Sequence, residues 1–264
     1  MQHGGMPHIR SQETVDSALR ASDAGTPDAT NAAQHGVAVK TIRRWRRDYQ
    51  RRGLRRGQTN CAVTCPRCDD ACLDLEAYAE LLGWYLGDGY LSRGRRGVYG
   101  LHVFNDARYL LDNDRILALM GRVKPGGRPH VRHKSGCVVL TVSWKHWPCL
   151  FPQHGAGPKH ARSIVLEDWQ QAAAESYPAE FLRGLFHSDG SRFANRVRRQ
   201  VSGEMKYYIY PRWQFTNYSA EIRELCCWAL DLVEVPWRQS NRHTISVSTR
   251  AGVARLDELI GLKR

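Results

Sequence analysis

Two aspartates occur in matching frames, 101 positions apart in a chain of 264 residues. The first frame is Leu81-Leu82-Gly83-Trp84-Tyr85-Leu86-Gly87-Asp88-Gly89; the second is Leu182-Arg183-Gly184-Leu185-Phe186-His187-Ser188-Asp189-Gly190. Each has Leu, a Gly two residues on, and Asp-Gly five and six residues after that Gly. The segments upstream, LEAYAE and YPAE, are helix-forming, so each frame predicts the end of a helix closed by a glycine. A carboxylate there faces the negative end of the helix dipole, at a cost of about 0.3–1 kcal/mol. Side by side, two such carboxylates also repel. A divalent cation is the simplest group to offset both effects, and it is one that hydrolytic chemistry can use.

The elements that would position these acids can be read from the same frames. Gly83 and Gly184 lie inside the helices, where glycine costs about 1 kcal/mol relative to alanine. Two helices crossing closely at these residues recover that cost, because a missing side chain lets backbones approach. The two helices are therefore expected to pack on each other and deliver both acids to one end. Helix-end acids on a glycine-packed pair, with no metal, are the plainer alternative; His187 and Trp84 are read as packing residues. After the first frame, VYGLHVFND reads as a strand, Asp106 as the cap of DARYLLDNDRILALM, and RPHVRHKSGCVVLTVSW as a strand pair. After the second, YYIYPRWQFTN reads as a strand, Ser219 as the cap of SAEIRELCCWALDL, and PWRQSNRHTISVST as a strand pair. Phe and Asn precede the cap in both copies, and the second carries an added basic hairpin near RVRRQVSGEM.

A second cluster is sulfur-rich. Cys61, Cys65, Cys68 and Cys72 fall within CAVTCPRCDDAC, and Cys65-Pro66-Arg67-Cys68 has the spacing of a zinc-knuckle half-site. A full Zn²⁺ site needs a second pair, from Cys61 and Cys72 or from a distant residue such as His3, His8 or His35. Reduced surface thiols in a linker are the alternative. The eight cysteines are grouped in CxxC and CC clusters rather than in an even framework, which argues against a disulfide scaffold.

Charge points to the partner. A net charge of +13 and a pI near 9.6 suit a polyanion. Lys40 to Arg56 carries nine basic residues and one acid, Asp48. This segment, VAVKTIRRWRRDYQRRG, reads as a helix with Ile42, Trp45 and Tyr49 on one stripe and Lys40, Arg43, Arg44 and Arg47 elsewhere. Before it, Gln12 to Ser22 predicts a helix. A second helix follows, with Thr26 as N-cap and Pro27 at its first position, and ends at Gly36. HGVAVKTIRRW resembles the helix-turn-helix of transposases and resolvase-like regulators, departing from it at Ala38, where a capping Ser or Thr is common. A basic hairpin that only docks on the next domain is the alternative. The apolar runs are too short to span a bilayer and no signal-peptide pattern opens the chain, so a cytoplasmic, nucleoid-associated protein is expected.

The paired frames resemble the two motifs of single-chain LAGLIDADG (dodecapeptide) homing endonucleases. The resemblance covers roughly residues 75–262. It implies an α+β fold of two pseudo-symmetric αββαββα repeats forming DNA-binding saddles, here preceded by a small helical segment. The expected organisation is a tail at 1–10, a helix-turn-helix at 11–56, a Cys-rich linker at 57–74 and repeats at 75–160 and 161–264. The resemblance further implies that Asp88 and Asp189 bind Mg²⁺ or Mn²⁺ with help from the Gly87 and Ser188 carbonyls. A lysine precedes the second motif in intein-type relatives, and in GPKHARSIVL that makes Lys159 the candidate, with His160 and Arg162 behind it. Lys145 and Arg250 are the symmetric alternatives. Base contacts are expected from Arg95, His102, Arg132, His133, Arg198, Arg212, Gln214, Arg238 and Arg242. The expected activity is site-specific hydrolysis of double-stranded DNA by a monomer with internal pseudo-twofold symmetry. A non-cleaving DNA-binding regulator on the same scaffold and, more remotely, an RNA maturase are the rivals.

Overall fold

The computed structural model describes residues 11–52, 65–68 and 70–263, with backbone alone for 12 and 47–52. Two compact units divide the chain, Met1–Thr64 and Cys65–Arg264. In the first, helices α1 (Gln12–Asp23), α2 (Asp28–Gln34) and α3 (Val39–Arg52) enclose a small core of Val15, Ala18, Ala32, Ile42 and Trp45. Ser11 caps α1 through its hydroxyl, which accepts from the Thr14 N–H. The cap of α2 is Pro27 rather than Thr26, and no side chain satisfies that end. Asp28, in its first turn, instead holds Arg43 and Arg46 of α3 at 3.0 Å each. The turn from α2 to α3 uses Gly36 at φ +58, a conformation that favours glycine. Buried Asn31 donates to the Ala18 carbonyl and the Ser22 hydroxyl, both at 2.8 Å, and so ties α2 to α1.

The second unit repeats one element order twice. The first copy is α4 (Leu75–Leu86), β1 (Gly89–Arg93), β2 (Tyr99–Asp106), α5 (Leu110–Val123), β3 (His130–Lys134), β4 (Cys137–Trp144) and α6 (Trp147–Leu150). An added helix, α7 (Asp168–Ser176), leads into the second copy. That copy is α8 (Pro178–Asp189), β5 (Gly190–Val201), β6 (Glu204–Thr216), α9 (Ala220–Leu232), β7 (Arg238–Asn241), β8 (Thr244–Val247) and α10 (Arg250–Ile260). The sheets run β1-β2-β4-β3 and β5-β6-β8-β7, antiparallel throughout. This is the αββαββα order expected, in two copies.

One core joins the repeats. Ala77 through Leu86 of α4 are all buried, as in a helix packed on every side. Each sheet presents one apolar face to the helices: Leu101, Val103, Leu140 and Val142 in the first, Trp213, Phe215, Ile245 and Val247 in the second. The predicted hairpin in the second copy is present, with β5 and β6 paired from Gly190–Phe215 out to Val201–Glu204. Its two-residue turn, Ser202-Gly203, has φ of +53 and +85, the signature of a turn matched to strand twist.

Two boundaries differ from expectation. Asp106 does not cap α5. Its carboxylate accepts from the Arg108 N–H at 2.9 Å and from the Arg108 guanidinium, which stabilises a local turn and delays the helix to Leu110. The glycines at the ends of α4 and α8 are not left-handed caps, for Gly87 has φ −78 and Gly190 φ −97. At Gly89 and Gly190 the need for glycine is spatial: a Cβ at Gly89 would lie 2.6 Å from Tyr85 Cα, and one at Gly190 2.8 Å from Phe186 Cα. Ser219 does cap α9, accepting from the Ile222 N–H.

Candidate active site at the crossing of two helices

α4 and α8 cross at Gly83 and Gly184. A Cβ on Gly83 would reach Leu185 N at 2.8 Å and Gly184 Cα at 2.9 Å. A Cβ on Gly184 would reach Trp84 N at 2.7 Å and Gly83 Cα at 2.9 Å. The contact is reciprocal, backbone on backbone, and it brings the two motif ends together. A Cβ on Gly87 would lie 3.3 Å from Asp189 Oδ2, so the second acid abuts the chain beside the first. Asp88 is two residues past the end of α4, whereas Asp189 is the last residue of α8.

The surroundings of the acids are mostly buried and cationic. Burial pushes the Asp88 carboxyl up, against the pull of Lys263 and Lys159. Burial and then the Asp88 charge push Asp189 up to about 6, opposed by an Asn217 hydrogen bond and by the same two lysines. Asn217 Nδ2 donates to Asp189 Oδ2 at 2.6 Å. Lys159 Nζ donates to the Gly87 carbonyl at 2.6 Å, and burial lowers this amine to about 8. Lys263 Nζ donates to the Ser188 and Gly190 carbonyls at 3.2 and 3.1 Å and is likewise lowered, chiefly by burial. The two lysines are thus related by the repeat: each follows the last helix of one copy and holds a carbonyl next to a motif aspartate. A cavity of about 580 Å³ opens beside the centre, lined by Gly87, Lys159, Asp189, Asn217, His160 and Tyr218 among others.

The donor set suits a hard cation, because carboxylates and main-chain carbonyls are oxygen ligands. Asp88 and Asp189 would supply the charge. The carbonyls of Gly87 and Ser188 stand beside them, each taken by a lysine ammonium. Lys145 and Arg250 are exposed, and neither is among the charges acting on the two acids. His187 is buried, with Nδ1 3.2 Å from Asp112 Oδ1 and its ring edge-on to Trp84.

Lys263 and Asn217 escaped the sequence reading. A signal existed for both. The chain has only seven lysines, and Lys263 follows Asp189 by nearly the interval that separates Lys159 from Asp88. Asn217 belongs to the Phe and Asn pair seen before each cap. Its counterpart Asn105 does not reach an acid; it donates to Asn113 Oδ1 at 3.0 Å.

Strand register sorts the expected base-reading residues. Arg132 pairs with Val139 and shares a face with His130, Lys134, His102 and Phe104, away from the helices. His133 pairs with Val138 and therefore has the opposite, helix-side parity. Both nitrogens of His102 are engaged, by Ser92 at 2.7 Å and Thr141 at 2.9 Å. Arg212, Gln214 and Arg238 share the outward face of the second sheet. Arg198 lies on the exposed β5–β6 hairpin with the parity of Trp213, Arg242 in the β7–β8 turn, and Arg95 in a 3-10 turn rather than a strand. In the first unit Lys40 and Arg44 are exposed and Arg43 is paired with Asp28, while the Arg47 and Tyr49 side chains lie outside the described residues.

The expected zinc ligands divide. Cys61, His3 and His8 lie outside the described residues. Cys72 is exposed and stands apart from the other sulfurs, and His35 is held within the first unit by Asn31 O and Ser17 Oγ. Cys65 and Cys68 converge instead with His146 and Cys149. No disulfide joins the described cysteines. No helix among the described residues is long and apolar enough to cross a membrane.

No family model matches the chain, and no curated protein matches it either. Solved structures do. The crystal structure of I-DmoI in complex with DNA and Mn matches at 13% identity and a TM-score of 0.47, over 71% of this chain and 98% of that one. The N-terminal LAGLIDADG domain of DUF199/WhiA matches at 17% identity and a TM-score of 0.43, over 72% and 83%. A double mutant of I-SmaMI matches at 10% identity and a TM-score of 0.42, over 70% and 85%. From Leu75 to Ile260 the chain has the doubled element order and the crossed motif helices expected of the two-repeat LAGLIDADG fold.

Proposed function

We propose that this chain is a site-specific endonuclease of homing type that hydrolyses phosphodiester bonds in double-stranded DNA with a divalent cation. The observation that carries this is the convergence of Asp88 and Asp189 at one helix crossing, with a lysine beside each. Two near-equivalent acids at a pseudo-twofold axis match the two antiparallel strands of a duplex. Asp88 and Asp189 would hold Mg²⁺ or Mn²⁺, which when bound activates water and offsets charge on the leaving 3′ oxygen.

The chain's own residues do the rest. Lys159 and Lys263 present ammonium groups toward the negative charge that develops on the phosphate. In its neutral form, which the lowering of its amine to about 8 makes accessible, Lys159 would instead take a proton from the attacking water at Nζ. Asn217 fixes the Asp189 carboxylate through Oδ2 and leaves Oδ1 for a ligand. Outward-facing strand residues, with His130, Arg132 and Lys134 on one sheet and Arg212, Gln214 and Arg238 on the other, would meet base edges and phosphates. The hairpin adds Arg196, Arg198, Arg199 and Lys206 among exposed Tyr207 and Tyr208.

The deciding experiment incubates the protein with a randomised duplex library and Mg²⁺ and sequences the ends produced. Recovery of one cut motif, lost in Asp88→Asn, supports the proposal. A second reading is a regulator that binds DNA without cutting. The separate basic three-helix unit favours it, since binding by that unit needs no acid centre. Tight duplex binding with no cleavage in Mg²⁺ or Mn²⁺ would establish that reading instead.

A further inference from the structure

Away from the acid centre, four side chains with metal-ligand chemistry meet in the second unit. Cys65, Cys68, His146 and Cys149 have ligand atoms that all lie within 4.8 Å of one another. They come from two short sequences, Cys65-Pro66-Arg67-Cys68 and His146-Trp147-Pro148-Cys149. Each places two ligands three residues apart. In the first, the chain turns back so that the Cys68 N–H donates to the Cys65 carbonyl at 3.2 Å, which aims both sulfurs to one side. In the second, His146 is the N-cap of α6 and Cys149 lies within that single turn.

The distances discriminate between explanations. Tetrahedral Zn²⁺ with Zn–S near 2.3 Å and Zn–N near 2.0 Å requires S···S edges of about 3.8 Å and S···N edges of about 3.5 Å. Cys68 Sγ lies 3.6 Å from Cys149 Sγ and 3.6 Å from His146 Nδ1, and Cys149 Sγ lies 3.8 Å from the same nitrogen. A disulfide would use two of the sulfurs at a bond length near 2.05 Å and would give the imidazole no reason to converge. Ordinary packing of a thiol pair does not select a Cys-x-x-Cys turn facing a His-x-x-Cys turn.

We propose that Cys65, Cys68, His146 and Cys149 form a closed structural zinc site. All four positions are filled by protein, so the ion is not catalytic. The three thiols lose their protons on binding and His146 ligates as neutral imidazole through Nδ1, leaving a net charge of −1 on the centre. The site clamps the chain just before α4 to the turn after β4. That turn leads into α6, where the Leu150 carbonyl accepts from Tyr78 of α4 at 2.6 Å and Phe151 packs on Tyr85 at 4.4 Å between ring centres. The clamp therefore braces α4, the helix that leads to Asp88, through Tyr78 and Tyr85. The inference is independent of the endonuclease proposal.

The test uses the full chain, purified without chelator. Elemental analysis should find about one zinc per chain, kept in Asp88→Asn/Asp189→Asn and in Cys72→Ser, and lost in His146→Asn and Cys149→Ser. Should the last two fail to fold, cobalt exchange into the unmutated protein decides. Cobalt here should give the intense visible absorption and thiolate charge-transfer bands of a tetrahedral sulfur-rich centre. Sub-stoichiometric zinc in folded protein would overturn the inference. So would zinc lost from the double aspartate variant, weak octahedral cobalt spectra, or two thiols missing from a titration because Cys68 and Cys149 are oxidised.

Discussion

At the scale of single residues, the centre combines two acids that burial disfavours as anions with two lysines that burial disfavours as cations. Neither pair is comfortable alone, and each lysine already occupies a carbonyl beside an acid. Asp88→Asn and Asp189→Asn should each lower cleavage by about 10²-fold or more in a single-turnover assay while duplex binding persists or tightens. Persisting cleavage in both would reduce these residues to helix-end acids. Lys263→Met should slow cleavage as Lys159→Met does, by about 10²-fold; a silent Lys263→Met with an impaired Lys159→Met would deny the repeat a chemical role. Stability carries a further signature. Asp189 is held up to about 6, against roughly 3.9 in an unfolded chain. Between those values the folded chain binds more protons than the unfolded one, so stability rises as pH falls from about 6 toward 4, and the penalty is fully present above 6. Without divalent cations, Asp189→Asn should therefore be more stable than the unmutated protein at neutral pH. That advantage should shrink below pH about 6, as read by denaturant titration at a series of pH values.

At the scale of elements, the glycine crossing decides where the acids stand. Helix propensity alone predicts that Gly83→Ala or Gly184→Ala would stabilise its helix by about 1 kcal/mol. The structure reverses the sign, because the new methyl meets backbone atoms of the partner helix under 3 Å away, and backbone cannot move aside as a side chain can. Each substitution should cost about 2–3 kcal/mol in equilibrium unfolding. An unchanged or improved midpoint would show that the helices do not cross there. Arg115 and Arg183 brace the same crossing by sharing the buried Glu80 carboxylate, at 2.5 and 3.2 Å, across α5, α4 and α8. Removing one partner from so buried a carboxylate is costly, so Glu80 is a poor site for conservative change.

At the scale of the molecule, a basic three-helix unit is joined to the two-repeat unit in one chain. Its cations are not equivalent. Lys40, Arg43 and Arg44 are all exposed, but Arg43 is paired with Asp28. If this unit touches phosphates, Lys40→Ala/Arg44→Ala should flatten the slope of log K against log salt by about 1.8, at 0.9 per lost contact, in a fluorescence titration on duplex DNA. Arg43→Ala should change it less. An unaltered slope in the double variant would remove this unit from the interface.

The sequence by itself determined the doubled motif, the helices it ends, the strand pairs that follow, the long hairpin and the glycine crossing. These are local: hydrophobic period, turn residues and caps act over a few positions, and repetition marks them twice. It did not determine where α5 begins, because Asp106 finds a closer partner in Arg108 than in a helix end. Nor did it assign His133 its face, since a one-residue register turns every side chain over. The remaining decisions needed the folded chain. Lys263 and Asn217 reach Asp189 from other elements, and His146 and Cys149 reach Cys65 and Cys68 across about eighty residues of sequence. Such meetings are set by how the helices and sheets pack, and packing distance has no period along a chain.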